Sequence, residues 1–255
     1  MRILTFLDLD DTIFQTKRKC PPDVPLEVGA VSKTGEPLSF MTPAQRTLLE
    51  WLLRTTTVIP TTGRDAAALS RVQLPSECRF AHGAIVNHGG TILEPDGTPD
   101  EVWLAHIGEV LAQTQEVMSG VVRELEHLNQ TESLGLRVRL IGDFGQEVYL
   151  VIKHPQADLG AVEKAHVLCQ ELLEDEPELR VIANGNNVAV LPQAISKANA
   201  VTYVKERFER REEVTTLGLG DSLSDLGYML GCDYAVLPSR SQIREEGLER
   251  YVSSD

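Results

Sequence analysis

The chain has 255 residues, 42% hydrophobic and 24% charged, ordinary values for a soluble globular protein with room for one large domain or two small ones. Its 38 acids outweigh 24 lysines and arginines, giving a net charge of -14. That excludes a general binder of nucleic acid or anionic membrane, but not an anionic small molecule held by local cations. Cys20, Cys78, Cys169 and Cys232 form no CxxC pair and read as unrelated thiols of a reducing compartment. The apolar N-terminal stretch is broken by Asp8 and reads as neither signal peptide nor membrane anchor, so a cytoplasmic location is expected.

In chain order, Ile3 to Leu7 is an apolar run too short for a comfortable helix and reads as a buried strand. Asp8, Asp10, Asp11 and Thr12 follow at once. Asp8 and Asp10 share a face if the strand continues. Carboxylates held close repel unless a cation or proton lies between them, so the pair suggests a magnesium site with one carboxylate free for chemistry. An acidic turn after a strand is the plainer alternative. Gln15 to Ser39 reads as a loop or short hairpin. Thr42 and Gln45 form a capping box around Pro43, opening a helix to Arg54. A strand at Thr57 to Thr62 ends at Gly63, a short helix covers Asp65 to Arg71, and Ala84 to Val86 makes a third strand with its turn at Asn87 to Gly90. The order β, α, β, α, β implies a parallel, doubly wound sheet.

The middle differs. A helix is expected over Asp100 to His127 and a hairpin with one solvated face over Leu136 to Ile141 and Glu147 to Lys153. Asp158 caps a helix to Leu173, and a second hairpin, Leu179 to Ala183 with Asn187 to Leu191, turns at Asn184-Gly185-Asn186. The doubly wound pattern resumes with a helix from Ser196 to Phe208, a strand at Val214 to Leu219, a helix from Leu223 to Leu230, a strand at Tyr234 to Leu237 and a helix from Gln242 to Tyr251. The expected fold is α/β: a doubly wound, Rossmann-like parallel-sheet core with an inserted αββαββ cap. The core is assigned to 1–97 and 184–255, and the cap to 98–183.

Four polar signals fall at turns or helix starts outside the insert: Asp8 with Asp10, Thr62 before Gly63-Arg64, Lys197 in the first turn of a helix, and Asp221 with Asp225. Parallel strands end on one edge, so the strand-borne groups should converge there. The set suits phosphoryl transfer, with a carboxylate nucleophile, a second acid for proton transfer, a hydroxyl on the phosphoryl oxygens, and a lysine and magnesium to offset charge. Taken singly, each group has a plainer reading: a strand-end hydroxyl, a solvated lysine, helix-capping acids. Lys197 is unusual even so, because cations disfavour helix N-termini, which argues for an anionic partner.

Together these motifs resemble the haloacid dehalogenase-like phosphatase superfamily: Asp8-Leu9-Asp10-Asp11-Thr12, Thr62-Gly63-Arg64, Lys197, and Asp221-Ser222-Leu223-Ser224-Asp225. The Thr-Gly-Arg form, the large insert, and Val190-Leu191-Pro192 before Ser196-Lys197 are similar to the Cof-type, sucrose-phosphate phosphatase-like subgroup. Ala198 stands where a glycine often follows the lysine, and Ser224 where many relatives carry asparagine. The resemblance implies that Asp8 is the nucleophile and Asp10 the general acid and base. It implies that Thr62, Gly63, Arg64 and Lys197 hold the phosphoryl group. Magnesium would sit on Asp8, the backbone carbonyl of Asp10, and Asp221, supported by Asp225.

The function expected is Mg2+-dependent hydrolysis of a small phosphorylated metabolite, a sugar or sugar-acid phosphate, with no nucleic-acid or membrane partner. A phosphomutase of the same superfamily is an alternative; it would need basic residues on the insert, for which Arg137, Arg139 and Lys153 are candidates. A catalytically idle regulatory or scaffold protein is the other, against which the intact set of acids and Lys197 argues.

Overall fold

A computed structural model describes residues 2–74, 80–210 and 212–248; Cys78 and the end of the last expected helix, up to Tyr251, lie outside the described residues. The chain divides into two compact units, Met1–Asp100 with Lys197–Asp255, and Glu101–Ser196. Its elements begin with β1 (Arg2–Leu7), β2 (Glu27–Val31), β3 (Pro37–Met41), α1 (Pro43–Thr55), β4 (Thr57–Pro60), α2 (Ala66–Leu69), β5 (Ala84–Val86) and β6 (Thr91–Leu93). The second unit supplies α3 (Glu101–Thr131), β7 (Arg137–Ile141), β8 (Tyr149–Lys153), α4 (Leu159–Leu172), β9 (Leu179–Asn184) and β10 (Asn187–Pro192). The first resumes with α5 (Lys197–Glu209), β11 (Val214–Leu219), α6 (Leu223–Met229) and β12 (Tyr234–Val236), and Ile243–Leu248 is a π-helical turn. No helix among the described residues is long and apolar enough to cross a membrane.

The first unit is built on a parallel sheet in the order β12-β11-β1-β4. β1 is paired on both sides, and its last four residues, Leu4 to Leu7, are buried on both faces and apolar but for Thr5. Leu7, Leu9, Ile13, Phe14, Leu49, Leu52, Val58 and Leu219 form one buried cluster. The α1 capping box forms as its residues dictate: Thr42 Oγ1 accepts from the Gln45 N–H, and Gln45 Oε1 accepts from the Thr42 N–H. The register sets the site. Leu7 is level with Pro60 of β4 and with Leu219 of β11. Asp8, Thr61-Thr62 and Gly220-Asp221 therefore leave three adjacent strands at the same edge, beside the strand from which the chain winds both ways.

The third expected strand does not join this sheet as a full member. β5 pairs antiparallel with β6 and touches the main sheet through a single parallel bridge, Thr61 to Ile85. The β2–β3 hairpin, one of the two readings of Gln15 to Ser39, begins inside that stretch and runs two residues past it to Met41.

In the second unit an antiparallel sheet, β7-β8-β10-β9, carries α3 and α4 on one face. Leu150, Ile152, Val188 and Val190 pack there against Met118, Val121, Leu125, Val162, Ala165 and Cys169. Asp158 caps α4 by accepting from the N–H groups of Gly160 and Ala161. The first hairpin is less solvated than its alternation suggested: β8 lies between β7 and β10, and Tyr149 and Val151 are buried like Leu150 and Ile152, while Lys153 and much of edge strand β7 are exposed. The unit boundaries also fall later than the expected cuts at 97/98 and 183/184. The second cut would split the β9–β10 hairpin, whose six paired positions hold Asn187–Pro192 in the inserted sheet. Asp100 stays with the first unit, because its buried carboxylate accepts from Arg207 Nη1 at 2.5 Å and from the Tyr203 hydroxyl at 3.2 Å, both on α5.

Candidate active site

The acidic cluster is built from three carboxylates. Asp8 is 4% exposed, Asp221 7% and Asp225 0%, and each offers an oxygen within 4.8 Å of the others. Among the described residues, one cation pairs with two of them. Lys197, itself 5% exposed, donates from Nζ to Asp8 Oδ1 and to Asp225 Oδ1, both at 2.6 Å. Thr12 Oγ1 donates to Asp8 Oδ2 at 2.9 Å and lies 3.3 Å from Asp221 Oδ1. Lys197 is thus no solvated surface lysine; its place at the start of α5 is accounted for by two buried anions, as its sequence position hinted.

Asp225 is the organiser of the fourth motif. Its Oδ2 accepts from Ser222 Oγ at 2.7 Å and from the backbone N–H groups of Ser222 and Asp221 at 3.0 and 3.3 Å. A carboxylate with three such donors on one oxygen and Lys197 on the other holds the loop that aims Asp221. Gly220 is required beneath it, since a Cβ there would lie 2.5 Å from Asp225 Cβ.

Three carboxylates against one ammonium leave an excess of negative charge. Burial raises the Asp8 pKa well above its ordinary value, Lys197 pulls it back only in part, and Asp225 and Asp221 push it further up. Burial and then Asp225 raise Asp221 to about 7. Burial alone would lower Lys197, but Asp225 and Asp8 outweigh it and hold it as a cation. The all-oxygen donor set and this excess fit one hard divalent cation of the magnesium type.

The second motif lies on the neighbouring strand. Thr62 is 1% exposed, its N–H donates to the Ile85 carbonyl at 2.9 Å, and its Oγ1 accepts from the Arg64 N–H at 3.2 Å. A left-handed turn is stacked on this motif: Asn87 and His88 have φ of 53° and 57°. The Asn87 N–H donates to the Arg64 carbonyl at 2.8 Å and the His88 N–H to the Thr62 carbonyl at 3.1 Å. Gly63 is required here, because a Cβ would fall 2.5 Å from the His88 imidazole. Asp10 and Arg64 are brought together rather than into the acidic cluster. Arg64 Nε and Nη2 donate to the two Asp10 carboxylate oxygens, each at 2.7 Å.

All the residues singled out in the sequence, Asp8, Asp10, Thr62, Gly63, Arg64, Lys197, Asp221 and Asp225, thus sit around the C-terminal edge of one sheet or contact a group there. Three partners had no assigned role: Thr12, whose spacing of four from Asp8 was a usable signal; Ser222, a capping residue by position; and His88, which only its left-handed Asn-His-Gly-Gly turn could have flagged. Arg137 and Arg139 share a face of β7, with Arg137 directly opposite Lys153 on β8.

No protein-family model matches the chain, and no curated protein matches it in sequence. Solved structures do resemble it in fold. The sucrose-phosphatase of Synechocystis, solved with sucrose and phosphate, aligns with a TM-score of 0.60 at 20% identity, over 100% of this chain and 89% of that one. The C-terminal domain of trehalose-6-phosphate phosphatase from C. albicans aligns with a TM-score of 0.54 at 16% identity, over 100% and 78%. The IMP-bound IMP-nucleotidase of Plasmodium falciparum aligns with a TM-score of 0.57 at 12% identity, over 99% and 68%. The chain has the fold of the haloacid dehalogenase-like phosphatases, a parallel-sheet α/β unit into which a second, antiparallel-sheet unit is inserted.

Proposed function

We propose that the protein is a Mg2+-dependent phosphatase of a small phosphorylated metabolite, a sugar or sugar-acid phosphate, acting through an aspartyl phosphate on Asp8. The observation that carries this reading is the Asp8 carboxylate itself. It is buried at a strand end, fixed at one oxygen by Lys197 and at the other by Thr12, with Asp221 alongside. A structural carboxylate gains nothing from two further buried acids beside it. The shared fold with phosphatases of sucrose phosphate and trehalose phosphate supports the substrate class.

In this reading an Asp8 oxygen attacks phosphorus and the bond from phosphorus to the substrate oxygen breaks. Asp10 gives that oxygen its proton, so the product leaves as an alcohol. Water then attacks the phosphorus of the aspartyl phosphate while Asp10 takes its proton, and inorganic phosphate and the free Asp8 carboxylate are restored. Thr62 and Lys197 contact the phosphoryl oxygens. Asp8, the Asp10 carbonyl and Asp221 would hold magnesium, with Asp225 behind them, and the ion would supply positive charge to screen the carboxylates from an anionic substrate. The second unit, 101–196, selects the substrate.

The test is a panel of phosphate esters incubated with purified protein and magnesium, reading released phosphate, with a chelated control. Release from sugar phosphates, abolished by chelation and restored by magnesium, is expected. Full activity in metal-free buffer, or transfer of phosphate within a sugar without release, would replace this reading with another.

A further inference from the structure

Asp10 differs from the other motif carboxylates. Its side chain is 50% exposed and lies outside the acidic cluster, on a turn where Asp11 adopts a φ of 63°. A half-exposed carboxylate on a turn ordinarily samples several rotamers. Here both oxygens are gripped by the planar fork of Arg64, two parallel bonds of 2.7 Å.

Arg64 is held in its turn from every side. Its side chain is 12% exposed, and its guanidinium carbon lies 5.0 Å from the centre of the fully buried Phe14 ring. Nη1 donates to the Ala68 carbonyl at 3.4 Å. Its backbone is fixed at both ends, the N–H on Thr62 Oγ1 and the carbonyl on the Asn87 N–H of the left-handed turn. That turn also packs against α5, the helix that begins with Lys197. Such a side chain is a poor candidate for swinging onto a phosphoryl group, and a good one for fixing something else.

We infer that Arg64 is a positioning residue that orients Asp10 for proton transfer, and that it is not a ligand of the phosphoryl group. The inference rests on the roles proposed above for Asp8 and Asp10. Its consequence is a dependence on the leaving group. An alkoxide from a sugar needs a proton as it departs, whereas p-nitrophenolate leaves readily without one. Losing the Arg64 fork should therefore damage hydrolysis of sugar esters selectively. Losing a phosphoryl ligand would damage both esters alike, because the phosphoryl group is the same in both.

The experiment measures kcat/KM of the full-length protein on p-nitrophenyl phosphate and on the sugar phosphate it hydrolyses best, for wild type, Arg64→Ala and Arg64→Lys. Lysine keeps the charge and most of the stem but not the fork. Both variants are expected to lose more on the sugar ester than on the aryl ester, by a factor on the order of 10². In an Asp10→Asn background, Arg64→Ala should add little further loss on either ester. Equal losses on the two esters, no loss in either variant, or an undiminished Arg64→Ala effect in the Asp10→Asn background would overturn the inference. A protein that is merely destabilised loses both activities together, and thermal melts identify it; Arg64→Lys then decides. Failure of the underlying phosphatase reading looks different: the wild-type protein would release phosphate from neither ester, and this inference would fall with it.

Discussion

The two units bury different kinds of matter. Among the described residues, every buried charge, Asp8, Asp100, Lys197, Asp221 and Asp225, lies in the first unit, with Thr12, Thr61, Thr62 and Asn87 beside them. The second unit buries a continuous apolar cluster and, among its described polar residues, Thr114 alone. Folding stability argues for the second arrangement, since a buried charge must recover its lost hydration from partners. Retaining the first is intelligible when the site must present charge in a medium where charge acts strongly. Charge is thus concentrated in the interior of the first unit and apolar packing in that of the second, a division that substitutions on either side can break.

The largest effect is expected from Asp8→Asn. Phosphate release should fall by at least ~10³-fold, because the amide removes the nucleophile and a whole step with it. Its melting temperature should not drop, since one of three crowded carboxylates becomes neutral at constant size. Turnover within tenfold of wild type would mean that another group attacks.

Lys197→Ala should come next and should act twice. In the transition state it should cost on the order of 3 kcal/mol. Judged from its helix-start position alone, the change would be harmless to stability. Its contacts reverse that expectation: removal leaves Asp8 and Asp225 buried without their cation, for which a loss of about 3 kcal/mol is expected. Denaturant melts and kinetics on one preparation give both figures. Unchanged stability would show that the polar cluster is not held by this pair.

Leu125→Ala probes the other side. Leu125 is fully buried in the second unit's cluster, and its truncation should cost about 2–5 kcal/mol of stability. Hydrolysis of p-nitrophenyl phosphate by the folded protein should be unaffected. A loss of aryl turnover without a loss of stability would erase the division between chemistry and packing.

The smallest effect, a few degrees of melting temperature, concerns pH. In the folded chain Asp221 is raised to about 7 and Asp8 well above its ordinary value, whereas unfolded aspartates titrate near 4. Between those values the folded state binds more protons than the unfolded chain. The pair's contribution to stability is therefore fully present below about pH 4 and is lost as pH rises towards 7. In chelator, the difference in melting temperature between wild type and Asp221→Asn should move against wild type across that window. Added magnesium should restore wild type at the upper end, by binding where the protons were. A difference that stays flat in chelator would mean that the carboxylates are not crowded.

The sequence by itself determined the local chemistry: the apolar β1 run ending in Asp8, the Thr42–Gln45 capping box, the Asp158 cap, the hairpin at Gly185, and the order of the four motifs along the chain. These are legible because their physical causes act between residues a few positions apart, through strand periodicity, φ preference and capping. Parallel strands end on one edge of their sheet, which is why Asp8, Thr62 and Asp221 could be expected together. The tertiary structure decided what depends on distant partners. Arg64 meets Asp10 across 54 positions and Lys197 meets Asp8 across 189, and no local pattern in the chain encodes either meeting. For the same reason the burial of Lys197, the stacking of His88 over Gly63, the pairing of β5 with β6 and the retention of β10 in the inserted sheet could not be read in advance. Each is settled by which surfaces remain to be covered once the neighbouring elements are in place, a property of the packed chain and not of any segment in it.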